Sequence, residues 1–310
     1  MNILFWHVHG SWSTAFVQGK HEFYIPVLPD RGPDGRGRAQ TWAWPESVHE
    51  VSPDELHRYH FDLVVLQRPN EYDLVHEWLG CRPGVDIRAV YVEHNAPQGR
   101  INEMRHPMAG IGGIPVVHVT HFNQLFWDCG EAKTFVIEHG IVDPGYRYTG
   151  EVNRAAVVIN EPQRRARVTG TDLIARFDAV VPVDLFGMGV SELSGYENLP
   201  QDALHDAIAR RRLYVHPIRW TSLGLSLIEA MQLGMPVVAL ATTEVPNAVP
   251  AGTGFISTDV GALLIAGRAL LNDLDLCIET GVRARTYARE RFGLERFLSD
   301  WDRLFEEILQ

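Results

Sequence analysis

The sequence predicts an α/β protein made of two doubly wound units, each a parallel sheet with helices on both faces. Three observations carry this. Short apolar or β-branched runs alternate with helical patterns, the scheme of parallel sheets. The alternation occurs twice, on either side of a stretch near 142–153 that holds Pro144, Gly145 and Gly150 and no hydrophobic period, as a connection between domains does. Histidine usage also changes there, since twelve of the fourteen histidines precede residue 150.

The elements follow in chain order. Strands are expected at 2–8, 63–66, 89–92, 116–119 and 135–137, where Val, Ile, Leu and aromatic residues cluster. Beyond the connection, strands are expected at 155–159, 179–183, 213–215 and 236–239, with helices at 171–176, 200–212 and 225–233. The end of the chain carries Leu294, Phe297, Leu298, Trp301, Leu304, Phe305 and Ile308 at spacings of three and four. That spacing predicts an amphipathic helix whose apolar face must be buried. The domains are therefore 1–147, 148–293 and a terminal helix over 294–310.

Composition excludes several function classes. At 310 residues and 45% apolar, the chain buries a substantial core without disulfides. Its 28 Lys and Arg against 39 Asp and Glu give a net charge of −11, so nucleic acid is not an expected partner. Only Lys20 and Lys133 are lysines, which leaves Schiff-base chemistry little room and assigns anion binding to arginine forks, helix N-termini and backbone N–H groups. Cys81, Cys129 and Cys277 are widely spaced and read as buried apolar residues of a reducing compartment. With no cationic leader and no 18-residue apolar stretch, the expectation is a soluble cytoplasmic protein without an integral membrane segment.

Ligands of open parallel sheets bind beyond the carboxyl ends of the strands, so residues that follow strands are the informative ones. Residues His216 to Ala239 read as a strand, a small-residue loop, a helix opening near Gly224 and a Gly-x-Pro turn into the next strand. The loop Thr221, Ser222, Leu223, Gly224 and Leu225 offers backbone N–H groups to an anion at a helix N-terminus, and glycine permits close approach. Glu229, one turn into the helix, is placed either to accept from ribose hydroxyls or to partner the helix dipole. In the first βα turn, Gly10 allows a ligand near the backbone and Ser11 is a candidate helix cap, although an ordinary turn has the same composition.

From His216 to Ala239 the chain resembles the family-4 glycosyltransferases, retaining enzymes of GT-B fold. Their pattern is P-S-x-x-E-G-F-G-L-x-x-x-E-A-M-A-x-G-x-P-V-V-A; Glu229 matches its second Glu, and Thr221 stands at the first. Gly252 to Phe255 resembles the family's G-x-T-G-x-L turn, and Glu244 to Val249 its G-I-P-E-I-V loop with Asn247 in place of Glu. Ala89 to Asn95 resembles the strand that ends in His-Asp, with Asn95 replacing Asp, and Glu138 to Asp143 resembles the N-G-V-D exit of the first domain. Thr120 stands where Ser often ends the preceding strand.

The resemblance implies two Rossmann-like domains facing across a cleft, an acceptor domain first and a donor domain second, with the last helix crossing back to the first. It implies that Glu229 binds ribose and that His94 lines the reaction centre. Diphosphate neutralisation falls in the family to an Arg and a Lys after the first strand of domain two. Here Thr169 stands at the Lys position, and Arg164, Arg165 and Arg167 supply the charge. The implied activity is transfer of a hexose, with retention, from a nucleoside-diphosphate sugar such as GDP-mannose or a UDP-sugar to a hydroxyl of a glycan or glycoconjugate acceptor. No cofactor and no metal enter it, since no Asp-x-Asp clamp is visible at a strand end; a homodimer is left open.

Three alternatives stand beside this reading. The loss of the carboxylate at Thr221 fits a nucleotide-sugar-binding protein without transfer, and a nucleotide-sugar epimerase shares the fold. His7-x-His9 at the end of strand one, with His94, His118 and His121, fits the ligand set of a metal-dependent hydrolase built on an eight-stranded barrel.

Overall fold

The apolar runs become the inner strands of two parallel sheets. The computed structural model describes residues 1–309 and divides into one unit of Met1–Val142 with the segment from Leu294 onward, and a second of Asp143–Gly293.

The first unit contains β1 (Asn2–Phe5), α1 (Gly10–Phe16), β2 (Glu22–Pro26), β3 (Val48–Val51), β4 (Leu63–Leu66), α2 (Glu71–Leu79), β5 (Ala89–Glu93), β6 (Val116–His118), α3 (His121–Phe126) and β7 (Thr134–Val136). Its seven strands run β3-β2-β1-β4-β5-β6-β7, all parallel. Every residue of β4 and β5 is buried, as strands covered on both faces require. The winding reverses at β1, which pairs with β2 on one side and β4 on the other, and this switch point opens a crevice at the carboxyl ends of the strands. β2 and β3 escape the apolar pattern because they lie towards the sheet edge, where Glu22, His49 and Glu50 are tolerated.

The second unit contains β8 (Val152–Val158), α4 (Pro162–Thr169), α5 (Thr171–Asp178), β9 (Val183–Gly187), β10 (Tyr196–Glu197), α6 (Gln201–Ala209), β11 (Arg211–His216), α7 (Leu225–Leu233), β12 (Val237–Leu240), α8 (Val245–Ala248), β13 (Gly254–Ser257), α9 (Val260–Asn272) and α10 (Leu274–Phe292). Its six parallel strands run β10-β9-β8-β11-β12-β13.

Two expectations are corrected here. The strand placed at 179–183 begins at Val183: Ala179 caps α5, and Pro182 offers only its carbonyl, to the Ala155 amide at 2.7 Å. Asp184 hides this strand in the sequence, yet Arg154 and Arg211 neutralise it at 2.6 and 2.8 Å. The second unit also begins at Asp143 instead of residue 148. Asp143 accepts from Arg285 at 2.9 Å, Arg147 pairs with Asp202 and Asp206 at 3.0 and 2.9 Å, and Tyr148 donates to the Arg212 carbonyl at 2.8 Å.

The terminal segment forms α11 (Leu294–Leu309) within the first unit. Its buried Phe297, Trp301, Leu304 and Phe305 form the expected stripe. Trp301 packs edge-on against Phe16 at 5.1 Å and Trp12 at 5.9 Å, and Phe305 packs on His21 at 5.5 Å. Gly140 permits this docking, because a Cβ there would lie 2.3 Å from Phe297 Cβ. Two open sheets are not the closed barrel of the metal-dependent hydrolase alternative, which the fold overturns. Among the described residues no helix is long and apolar enough to cross a membrane.

Candidate functional site

In the second unit the site is built around the end of β11 and the start of α7. Gly224 holds the N-cap position in extended conformation, and α7 opens at Leu225. Glycine is required there by proximity, since a Cβ would fall 2.5 Å from His216 Cε1. The hydroxyl of Tyr214 on β11 donates to Ser226 at 2.9 Å, which ties the first turn of α7 to the strand. Ser222 and Leu223 are buried, while Thr221, Gly224 and Leu225 are half-buried.

Glu229 is the fifth residue of α7, past the turn where a helix dipole acts, so the dipole-partner alternative fails. The residue is only 5% exposed. Its Oε2 lies 3.2 Å from Gln201 Nε2 and 3.5 Å from His205 Nε2, both on α6, and those two groups are 2.8 Å apart. Sequence reasoning missed Gln201 and His205. Their i, i+4 spacing on a helix, which puts both on one face, was the available signal.

His216, the last residue of β11, is 1% exposed, and neither ring nitrogen has a partner in the protein among the described residues. Burial lowers its pKa to about 4, so the ring is neutral at physiological pH. A buried polar group left unpaired costs about 1–3 kcal/mol.

The three arginines expected at the diphosphate do not act alike. α4 kinks at Ala166 (φ 38°), and Gly170 lets the segment approach the Pro217 carbonyl, to which a Cβ would come within 1.9 Å. Arg164 pairs with Glu161 at the surface, and Arg167 pairs with Asp172 at 3.3 Å, which also holds Arg219 at 2.8 Å. Arg165 is half-buried and forms no ion pair within 4 Å among the described residues, with Glu161 acting on it only at longer range. Thr169, at the expected Lys position, is buried and bonded to Thr171 and the Ala166 carbonyl at 3.0 and 3.1 Å.

In the first unit histidines gather beyond the carboxyl ends of β1, β5 and β7, with Gln67 beyond β4. His94 follows β5, and its Nε2 lies 3.0 Å from Gln67 Oε1 beyond β4. The ring of His9 sits 4.1 Å from that of His94, and His139 stacks at 6.4 Å on the same ring. Burial, reinforced by neighbouring charges and imidazoles, lowers the pKa of His9 to about 4 and of His139 to about 3, and holds His94 well below the usual range. All three rings are therefore neutral. His9, His139 and Gln67 were not singled out as partners of His94 from the sequence; their positions just beyond strand ends were the signal.

Gly10 and Ser11 differ from expectation. α1 starts at Gly10 with His9 at the cap position, so Ser11 lies inside the helix and does not cap it. A Cβ on Gly10 would make only ordinary contacts, at 3.6 Å from Trp42, so the fold itself does not demand glycine. The H-x-H ligand set is not assembled: His7 lies 3.1 Å from the Gly37 carbonyl and against Trp44, His9 meets His94, and His118 lies 3.5 Å from Cys129. Among the described residues no three His, Cys, Asp or Glu side chains form a group able to hold a metal ion.

Two parallel α/β units with this loop after β11 have the fold of the GT-B glycosyltransferases. Residues 187–273, which include Gly224 and Glu229, match the family described as Glycosyl transferases group 1. The chain shares its fold with sucrose-phosphate synthase from Thermosynechococcus elongatus, with a TM-score of 0.74 and 13% identity over 99% of this chain and 98% of that one. It also superposes on Anabaena HepE in complex with UDP, with a TM-score of 0.70 and 14% identity over 99% and 100% of the two chains. Among curated proteins, the N-acetyl-alpha-D-glucosaminyl L-malate synthase of Bacillus anthracis is 28% identical over 113 residues, 36% of this chain. The match spans 30% of that relative's length.

Proposed function

We propose that this protein is a retaining glycosyltransferase of family-4 type that moves a hexose from a nucleoside-diphosphate sugar to a hydroxyl of a glycan or glycoconjugate acceptor. The observation that carries the reading is Glu229, a carboxylate withdrawn from water at 5% exposure and set one turn behind a helix N-terminus that glycine opens. A buried carboxylate accepts from vicinal ribose hydroxyls, while the helix N-terminus and loop amides receive the diphosphate.

Breaking the glycosyl–phosphate bond builds negative charge on the leaving diphosphate, and donors already in place there are the largest catalytic contribution such a site offers. Arg165, half-buried and in no ion pair within 4 Å among the described residues, is the arginine best placed to serve that charge, because Arg164 and Arg167 are engaged by Glu161 and Asp172. His94, a neutral ring oriented by Gln67 at 3.0 Å, is the residue we assign to the reaction centre. The reading uses no cofactor and no metal. It places the protein in the cytoplasm, where nucleotide sugars are available.

Thr221 in place of a carboxylate leaves the donor sugar with fewer charged contacts, which makes a binder without transfer the second reading. HepE is described with UDP and with UDP-glucose, so UDP-sugars are the first donors to try, with GDP-mannose and ADP-glucose beside them. Thermal shift in EDTA with that panel is expected to show one base stabilising the fold selectively. Donor turnover with acceptor glycans then separates transfer from binding alone. No shift with any donor would refute both readings.

A further inference from the structure

The second unit must hold a diphosphate without lysine, since the only lysines, Lys20 and Lys133, both belong to the first unit. Thr169, at the position where a lysine is expected, spends its hydroxyl on Thr171 and Ala166. Another donor is therefore called for near the start of α7. His216 is there: it ends β11 at the carboxyl edge of the sheet, is 1% exposed, and lies directly under Gly224, with Nε2 at 3.1 Å and Nδ1 at 3.6 Å from where a Cβ on that glycine would be. Its ring stacks at 6.1 Å on Tyr214, and among the described residues neither ring nitrogen meets a hydrogen-bond partner.

We propose that His216 is a diphosphate-binding residue, whose ring N–H donates to a phosphate oxygen of the bound nucleotide from beneath the N-terminus of α7. The inference rests on the nucleotide-binding reading of this loop and adds to it a side chain from the strand. Diphosphate oxygens only accept hydrogen bonds, and the groups that surround the position, the opening amides of α7 and a neutral imidazole, can donate. The unpaired ring is thus a cost carried by the empty protein and relieved by the ligand, an arrangement in which stability and binding oppose each other.

The test uses His216→Leu, which removes the polar atoms, and His216→Gln, which restores a donor near the Nε2 position. Affinities of UDP, GDP and ADP and of their parent nucleosides are measured by calorimetry on the full chain, together with the melting temperature of each ligand-free variant. His216→Leu is expected to weaken the preferred nucleoside diphosphate roughly tenfold, to leave its nucleoside within about twofold, and to melt no lower than wild type. His216→Gln is expected to recover most of the diphosphate affinity. Unchanged diphosphate affinity in His216→Leu, equal loss for nucleoside and diphosphate, or a lowered melting temperature without rescue by glutamine would each overturn the proposal. A wild-type protein that binds none of the nucleotides overturns the reading of the loop itself, a separate outcome read before any variant.

Discussion

Gln67 fixes the tautomer of His94. The amide Nε2 of Gln67 donates to the Trp6 carbonyl at 2.6 Å, so its Oε1 faces the His94 ring at 3.0 Å and can only accept. His94 must therefore carry its proton on Nε2. This relay spans β1, β4 and β5, the three strands at the switch point of the first sheet, and every member is buried. Replacing Gln67 by Leu frees the imidazole to rotate or change tautomer. Transfer is expected to lose about 10- to 100-fold in kcat, with donor affinity little changed. Steady-state kinetics with a fixed donor check this, and a parental kcat would remove Gln67 from the site.

Glu229→Ala should weaken nucleotide binding by roughly 1.5–3 kcal/mol, the range for a charged hydrogen bond to a ribose hydroxyl. Because Gln201 and His205 face the same carboxylate, Glu229→Gln is expected to fall between alanine and wild type. Calorimetry with nucleoside diphosphate reads both. Equal affinities across the series, in folded protein, would show that the carboxylate serves α6 alone.

The arginines of α4 should separate into two classes. Arg165→Gln is expected to weaken nucleoside diphosphate about tenfold while sparing the nucleoside. Arg164→Gln and Arg167→Gln break solvent-screened surface pairs and should leave both affinities within about twofold. A larger effect from Arg164 or Arg167 than from Arg165 would contradict this ordering.

What could be read from the sequence follows from how each feature is encoded. β4 and β5 were legible because a strand buried on both faces is a continuous apolar run, and the glycine-opened helix with Glu229 was legible because one local string holds all its parts. β9 was misplaced because Asp184 is acceptable in a strand only when Arg154 and Arg211 arrive from β8 and β11. The same limit governed the site. The freedom of Arg165 depends on which carboxylates its neighbours meet, and the isolation of His216 depends on Gly224 closing over it; both are tertiary facts. Ser11 failed as a cap because α1 begins two residues earlier than a cap there requires.

Acid should destabilise the protein through its buried histidines, with Glu71, whose pKa burial raises to about 7, acting alone in the opposite sense. His9, His118 and His216 have pKa values lowered from 6.5 to about 4, and His139 to about 3, with burial the leading cause in each. Below pH 6.5 the unfolded chain takes up protons that the folded chain refuses until about pH 4, so the unfolded state binds more protons and stability falls as pH falls through that window. Above pH 6.5 the effect is absent. Each group contributes on the order of 3 kcal/mol of lost stability by pH 4. Urea midpoints at pH 7, 6 and 5 are expected to drop progressively, and a flat series would show that the imidazoles are hydrated. His216→Leu should make the slope shallower.

The terminal helix is part of the first unit's core. Its aromatic stripe closes over Trp12 and Phe16, Asp302 receives Lys20 and His21 at 2.8 and 3.0 Å, and Arg296 bonds the Glu138 and His139 carbonyls, so α11 also steadies the loop that carries His139. The charges of the segment as a whole oppose docking on anionic lipid, since Glu295, Asp300, Asp302, Glu306 and Glu307 outnumber Arg296 and Arg303, whereas interfacial helices carry a basic excess. Trp301→Ala should cost about 3–5 kcal/mol in urea unfolding, as the loss of a buried aromatic does. Deleting residues 294–310 should expose the Trp12 and Phe16 surface and give an aggregating or strongly destabilised protein. Full-length protein is expected to stay in the supernatant when anionic vesicles are pelleted. Sedimentation with those vesicles, together with a truncated chain that is soluble and equally stable, would show that the stripe serves lipid instead of the fold.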